Sequence, residues 1–176
     1  PLGSVDKVKR TAEVVWTTGA PVQRFDWFAN EPFWEELSLD PGAVRMGRLN
    51  SGAPLLANHG RGSLEDVIGV VENASVDGKR GVATVRFSDR EAVQPIFNDV
   101  AAGIIRNVSV GYRVNKIEKT RDAGGMLTVR VLDWEPHELS LVPIGADAGA
   151  GVRSDQQQHT YPCEIVNINR EAKMPE

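Results

Sequence analysis

The sequence predicts a mainly β domain of the α+β class, an antiparallel barrel or sandwich with a helix packed on it. Three observations carry that expectation. Short runs of β-formers recur along the chain between turn clusters rich in Gly, Pro and Asp. One stretch alone, residues 89–104, changes to helical spacing. Apolar residues make up 41% of the 176, enough for one hydrophobic core in a chain too short for two domains.

Residues 9–16 read as a strand, because Val14, Val15 and Trp16 are β-formers closed off by a turn cluster at 17–21. In residues 24–37, Asn30-Glu31-Pro32 splits the apolar set Phe25, Trp27, Phe28, Phe33, Trp34 and Leu37. That split predicts two irregular pieces, the second opening as a helical turn at Pro32, with the aromatics plugging one end of the core. Residues 54–59 form a short buried strand that runs into the loop Gly60-Arg61-Gly62. Residues 67–75 and 81–87 are the arms of a hairpin turning at 77–80.

Ala92, Val93, Ile96, Phe97, Val100, Ala101 and Ile104 then repeat at helical spacing, with Ser88 or Asp89 available as N-cap and Gly103 near the end. Pro95 is either accommodated in the first turns or kinks the helix. Residues 108–117 pair with 127–132 across a turn at 122–125, and residues 137–142 make a final strand stopped by Pro143. Past Gly149 no period persists. Pro1-Leu2-Gly3-Ser4 reads as the remnant of a cleaved expression tag, residues 5–153 as the domain, and residues 154–176, with Gln156-Gln157-Gln158, as a tail or linker.

Composition narrows the function classes. A formal charge of −4, with no dense run of Lys or Arg, argues against nucleic acid as a direct ligand. Cys163 is the only cysteine, so no intrachain disulfide can form, and a reducing cytoplasm fits. No apolar run approaches the roughly 18 residues of a membrane-spanning helix, and no signal peptide opens the chain. The three histidines, 59, 137 and 159, lack a cysteine pair and any zinc-like spacing, so neither metal nor cofactor is expected.

Polar side chains with catalytic potential at strand ends or in apolar surroundings are His59, Ser109, His137 and Glu138. Each alone has an ordinary structural explanation. A strand serine commonly bonds a neighbour, a histidine beside Gly is commonly a loop residue, and Glu138 fits a solvated edge. No compact nucleophile, zinc or phosphate-loop motif occurs; Ser109-Val110-Gly111 is half of a nucleophile elbow.

The joint arrangement is more specific. Leu55-Leu56-Ala57-Asn58-His59-Gly60 is followed by Ile68-Gly69-Val70-Val71, by Gly103-Ile104-Ile105-Arg106-Asn107-Val108-Ser109-Val110-Gly111-Tyr112, and by Glu138-Leu139-Ser140-Leu141-Val142-Pro143. In this order, over residues 14–153, the blocks resemble the prohead proteases of tailed bacteriophages. That family is similar in fold to the herpesvirus assemblins, which implies an antiparallel β-barrel flanked by helices.

The resemblance implies Ser109 as nucleophile, His59 as its base and Glu138 as the third member of a triad. His137 is a rival for the third place, because the herpesvirus relatives use a second histidine there. In such a site the imidazole takes the serine proton and the carboxylate stabilises the imidazolium. Gly145 and Ala146, in the loop after the Glu138 strand, are the candidate oxyanion donors.

The implied function is a serine endopeptidase that cleaves scaffold and capsid-protein segments, and itself, inside the assembling prohead in the host cytoplasm. Its implied partners are the phage scaffold and major capsid protein and further copies of itself, as a homodimer or higher homo-oligomer. Residues 154–176 would then lead to scaffold or capsid sequence and offer a place for self-cleavage. Two alternatives are a non-catalytic β-barrel module of head assembly and a serine esterase on a β-rich scaffold.

Overall fold

The computed structural model describes residues 4–153. Strands β1 Val5–Asp6, β2 Thr11–Thr17, β3 Val22–Asp26, β4 Glu31–Leu37, β5 Pro54–Ala57, β6 Val67–Val76 and β7 Gly81–Phe87 precede the helix α1 Gln94–Ala102. β8 Val108–Arg121, β9 Leu127–Leu141 and β10 Gly151–Val152 follow it. The result is a mainly β, α+β fold with a curled, barrel-like sheet.

The sheet runs β1-β2-β7-β6-β5-β9-β4-β3, with β8 on β9 and β10 on β2. β9 is the hub. Its last residues pair with β5 on one side, Leu139 opposite Leu55, and with β8 on the other, Leu139 opposite Val110. β10 closes the curl: it pairs with β2, and Gly151 also bridges Asn107 just ahead of β8. The hairpin pairs are antiparallel as expected, but β9 runs parallel to β4 and to β5. Those two strands reach β9 through long connections, which parallel pairing requires and a tight hairpin forbids.

Alternation puts Ala83, Val85 and Phe87 of β7 on the inner face, with Val14 and Trp16 of β2 and Leu139 and Leu141 of β9. Trp16 and Tyr112 each meet the Trp134 ring edge-on, at centroid distances of 5.9 and 5.5 Å, and the Trp134 indole N–H donates to the Ser38 carbonyl at 2.9 Å. An indole this buried is stable because its one polar atom is satisfied. α1 packs Phe97, Val100 and Ala101 onto this core.

Several expectations need correction. Residues 24–37 are not irregular: β3 and β4 form a hairpin, and the helical turn expected at Pro32 is strand. Pro32 is tolerated because β4 begins to pair with β9 only at Phe33, so its missing donor is not called on. The aromatics of this hairpin do not plug the core; Trp27 is 83% exposed and Phe28 fully so. Residues 127–132 and 137–142 are parts of one strand, and β8 runs on to Arg121. α1 starts at Gln94 after a 3-10 turn at Glu91–Val93, so Pro95 lies in the first turn, and neither Ser88 nor Asp89 caps it. Gly103 ends it with φ 77°, a left-handed conformation that glycine adopts without a Cβ penalty. A single α-helix among the described residues, not several, flanks the sheet.

Candidate functional site

Three adjacent strands converge on one polar cluster at the C-terminal end of β9. Glu138 and Ser140 lie two apart on β9 and so share a face. Ser109 and Gly111 of β8 are their cross-strand partners. His59 arrives from the other side, just past the end of β5.

Glu138 is 1% exposed, and a carboxylate so buried is stable only when its lone pairs are taken. His59 Nδ1 lies 2.7 Å from Oε1, the Ser140 hydroxyl donates to Oε2 at 2.7 Å, and an Arg61 guanidinium nitrogen stands 3.5 Å from Oε1. Gly111 makes room for this carboxylate, since a Cβ there would overlap it.

The turn that delivers His59 is strained. Asn58 and His59 have φ of 52° and 57°, left-handed values that Asn tolerates better than His. Hydrogen bonds hold it: Asn58 N–H to the Leu141 carbonyl at 2.8 Å, His59 N–H to the Ser140 hydroxyl at 3.2 Å and Gly60 N–H to the Ala57 carbonyl at 2.9 Å.

His137 belongs elsewhere. The ladder steps from Gly111–Glu138 to Tyr112–Pro136, leaving His137 in a bulge-like shift without a partner. Its Nε2 lies 3.1 Å from Arg61, and burial together with the Arg61 charge holds its pKa below the ordinary histidine value. His59 therefore faces Glu138, not His137.

Ser109 stands across the ladder from Ser140, and among the described residues its hydroxyl makes no hydrogen bond to His59. It lines a pocket of about 40 Å³ with Trp16, Tyr112, Ala146 and Asp147. The larger groove, about 870 Å³, is lined by Arg48, Arg61, Ser63, Arg113, His137 and Glu138, and by neither Ser109 nor His59. Gly145 and Ala146 sit in a loop strapped to β2 by Asp147, whose carboxylate accepts from Thr18 N–H at 2.6 Å and from the Thr18 hydroxyl at 2.8 Å.

Sequence reasoning missed two members of the cluster, Arg61 and Ser140. Ser140 was available from its i+2 spacing to Glu138; Arg61 had only its place in a Gly-rich loop as a signal. It also missed a second network, in which Tyr112 donates to Glu35 at 2.5 Å and Arg24 pairs with the same oxygen at 3.0 Å. Burial and the Glu35 carboxylate push the Tyr112 hydroxyl pKa up. Among the described residues no three His, Cys, Asp or Glu side chains cluster as a metal site requires, and no helix is long and apolar enough to cross a membrane. Cys163, His159 and the tail expected at 154–176 lie outside the described residues.

No family model and no solved structure matches the chain. It is 40% identical over 150 residues to the major capsid protein of Halomonas phage phiHAP-1, an alignment covering 85% of this chain and 24% of that protein. The chain thus spans about a quarter of the length of the curated relative it matches. This likeness supports a phage-head-related protein, and it corrects the sequence expectation of a serine endopeptidase: the relative is a major capsid protein, not a protease. The hydrolase, protease and self-cleavage expectations go with it, and the chain stands as a relative of a phage capsid protein.

Proposed function

We propose that this chain is a non-catalytic β-barrel module of a phage head that acts in assembly through contacts with other head proteins. The observation that carries the reading is the 40% identity to a major capsid protein. Its partners in this reading are scaffold and major capsid protein, with further copies of itself, and its place is the assembling prohead in the host cytoplasm. The chemistry of the surface is compatible with such a role. The β3–β4 hairpin displays Trp27 and Phe28, and large exposed aromatics grouped on one projection are a common mark of a protein contact.

In this reading His59, Glu138 and Ser109 serve the fold. The His59–Glu138–Ser140 bonds tie the end of β5 to β9, and Ser109 fills the ladder position opposite Ser140. Gly145 and Ala146 belong to the Asp147 strap that fastens the loop before β10.

The test is treatment with a fluorophosphonate probe followed by intact-mass analysis, beside an assembly assay with the phage capsid protein. No adduct at Ser109, and unimpaired assembly of Ser109→Ala, are the expected results. An adduct that maps to Ser109 and vanishes in both Ser109→Ala and His59→Ala would overturn the reading.

A further inference from the structure

We propose that the outer edge of β8 is a self-association surface, where two copies of this chain pair their β8 strands antiparallel about a two-fold axis at Ile117. Along residues 113–121 β8 pairs, among the described residues, with β9 on one side only, so within that set its other edge presents unpaired backbone N–H and C=O groups. That edge is also incompletely covered. Ile117 lies opposite Val131, which is fully buried, yet Ile117 itself is 43% exposed. Cross-strand partners share a face, so Ile117 is a core-face residue that no strand among the described residues covers from beyond.

Among the registers centred on residues 116–118, charge selects one. In an antiparallel pair, directly opposite residues turn their backbone groups both toward each other or both away. A strand pairing with its own copy about a two-fold axis must therefore be centred on a residue. Centring on Lys116 sets Lys116 against Lys116, and centring on Glu118 sets Glu118 against Glu118. Centring on Ile117 sets each Lys116 against Glu118 of the second copy, twice over.

The charges behind them continue the pattern. On β9, Lys116 faces Asp133 and Glu118 faces Arg130, so a row across the axis reads Asp133, Lys116, then Glu118 and Arg130 of the second copy, alternating in sign throughout. Arg45 beyond Asp133 and Asp40 beyond Arg130 extend it. On the opposite face the two Ile117 side chains meet at the axis. The shifts between Val114 and Ile117 confine regular pairing to a short central stretch, which sets a weak, reversible contact rather than a permanent dimer.

This inference names a surface for the self-contacts of the assembly reading, but its experiment uses the isolated chain alone, so the two can fail separately. The experiment is sedimentation velocity on the full chain across a concentration series, with Lys116→Glu, Glu118→Lys and the double exchange. Each single variant puts like charges opposite each other and is expected to weaken association about tenfold or more, while the double exchange restores it. The double variant sets like charges side by side within each copy, against Asp133 and against Arg130, so its recovery cannot come from a better-folded monomer. A chain that stays monomeric up to about 1 mM, or a dimer indifferent to all three variants, overturns the proposal.

Discussion

Glu138 shows how one residue dictates the identity of its neighbours. Its burial demands donors, which His59 and Ser140 supply, and a nearby positive charge, which Arg61 supplies at 3.5 Å, and it demands space, which Gly111 supplies by having no side chain. Gly111→Ala is expected to destabilise the fold by about 1–3 kcal/mol, the usual cost of overpacking, with an unchanged urea m-value; an unaltered midpoint would show the carboxylate free to move aside. His137 makes a second residue-scale prediction. Its pKa is lowered in the folded chain by burial and by Arg61, so the unfolded chain binds a proton that the folded chain does not, in the window below about 6.5. The contribution is present above that pH and is lost as the pH falls through the window. Urea midpoints of the parent chain should therefore drop more steeply from pH 7 toward pH 5 than those of His137→Asn.

At the scale of elements, the β3–β4 hairpin and β9 depart most from what their residues suggest. The 24–37 segment carries aromatic residues whose local pattern favours a buried plug, yet only pairing with β9 decides which of them are covered. Phe33 lies opposite Leu127 and Leu37 opposite Val131, while Trp27 and Phe28 fall in the turn beyond any partner. Because the turn pair buries so little, Trp27→Ser with Phe28→Ser should shift stability by no more than about 0.5 kcal/mol while raising solubility. A large loss in thermal unfolding would mean that the hairpin tip is packed after all. β9 looked like two strands because Asp133 to Pro136 breaks the run of β-formers, but the chain carries the break as shifts in register with β8 and continues.

For the whole molecule, closure depends on contacts between parts far apart in the chain. β10 is only Gly151–Val152, invisible to any periodicity, yet it pairs with β2 and bridges the start of β8, while Asp147 straps the loop before it to Thr18. The functional outcome follows the same division. The ordered blocks pointed to the proteins of a phage head, and the likeness to a major capsid protein agrees at that level. The expected protease chemistry found no such agreement, since the relative is a major capsid protein and a fold does not by itself imply an activity.

The sequence by itself determined the β6–β7 hairpin, the turn that joins β8 to β9, the single helix with its glycine end, and two members of the polar cluster, His59 and Glu138. Each of these is written in side-chain alternation, turn chemistry or spacing within a few positions. Only the tertiary structure decided that β9 runs parallel to β4 and β5, that Glu138 and not His137 meets His59, and that Trp27 and Phe28 stay in solvent. Those outcomes depend on which distant strands share a ladder and in what register, and local patterns encode a strand's faces without naming the partner that will cover them.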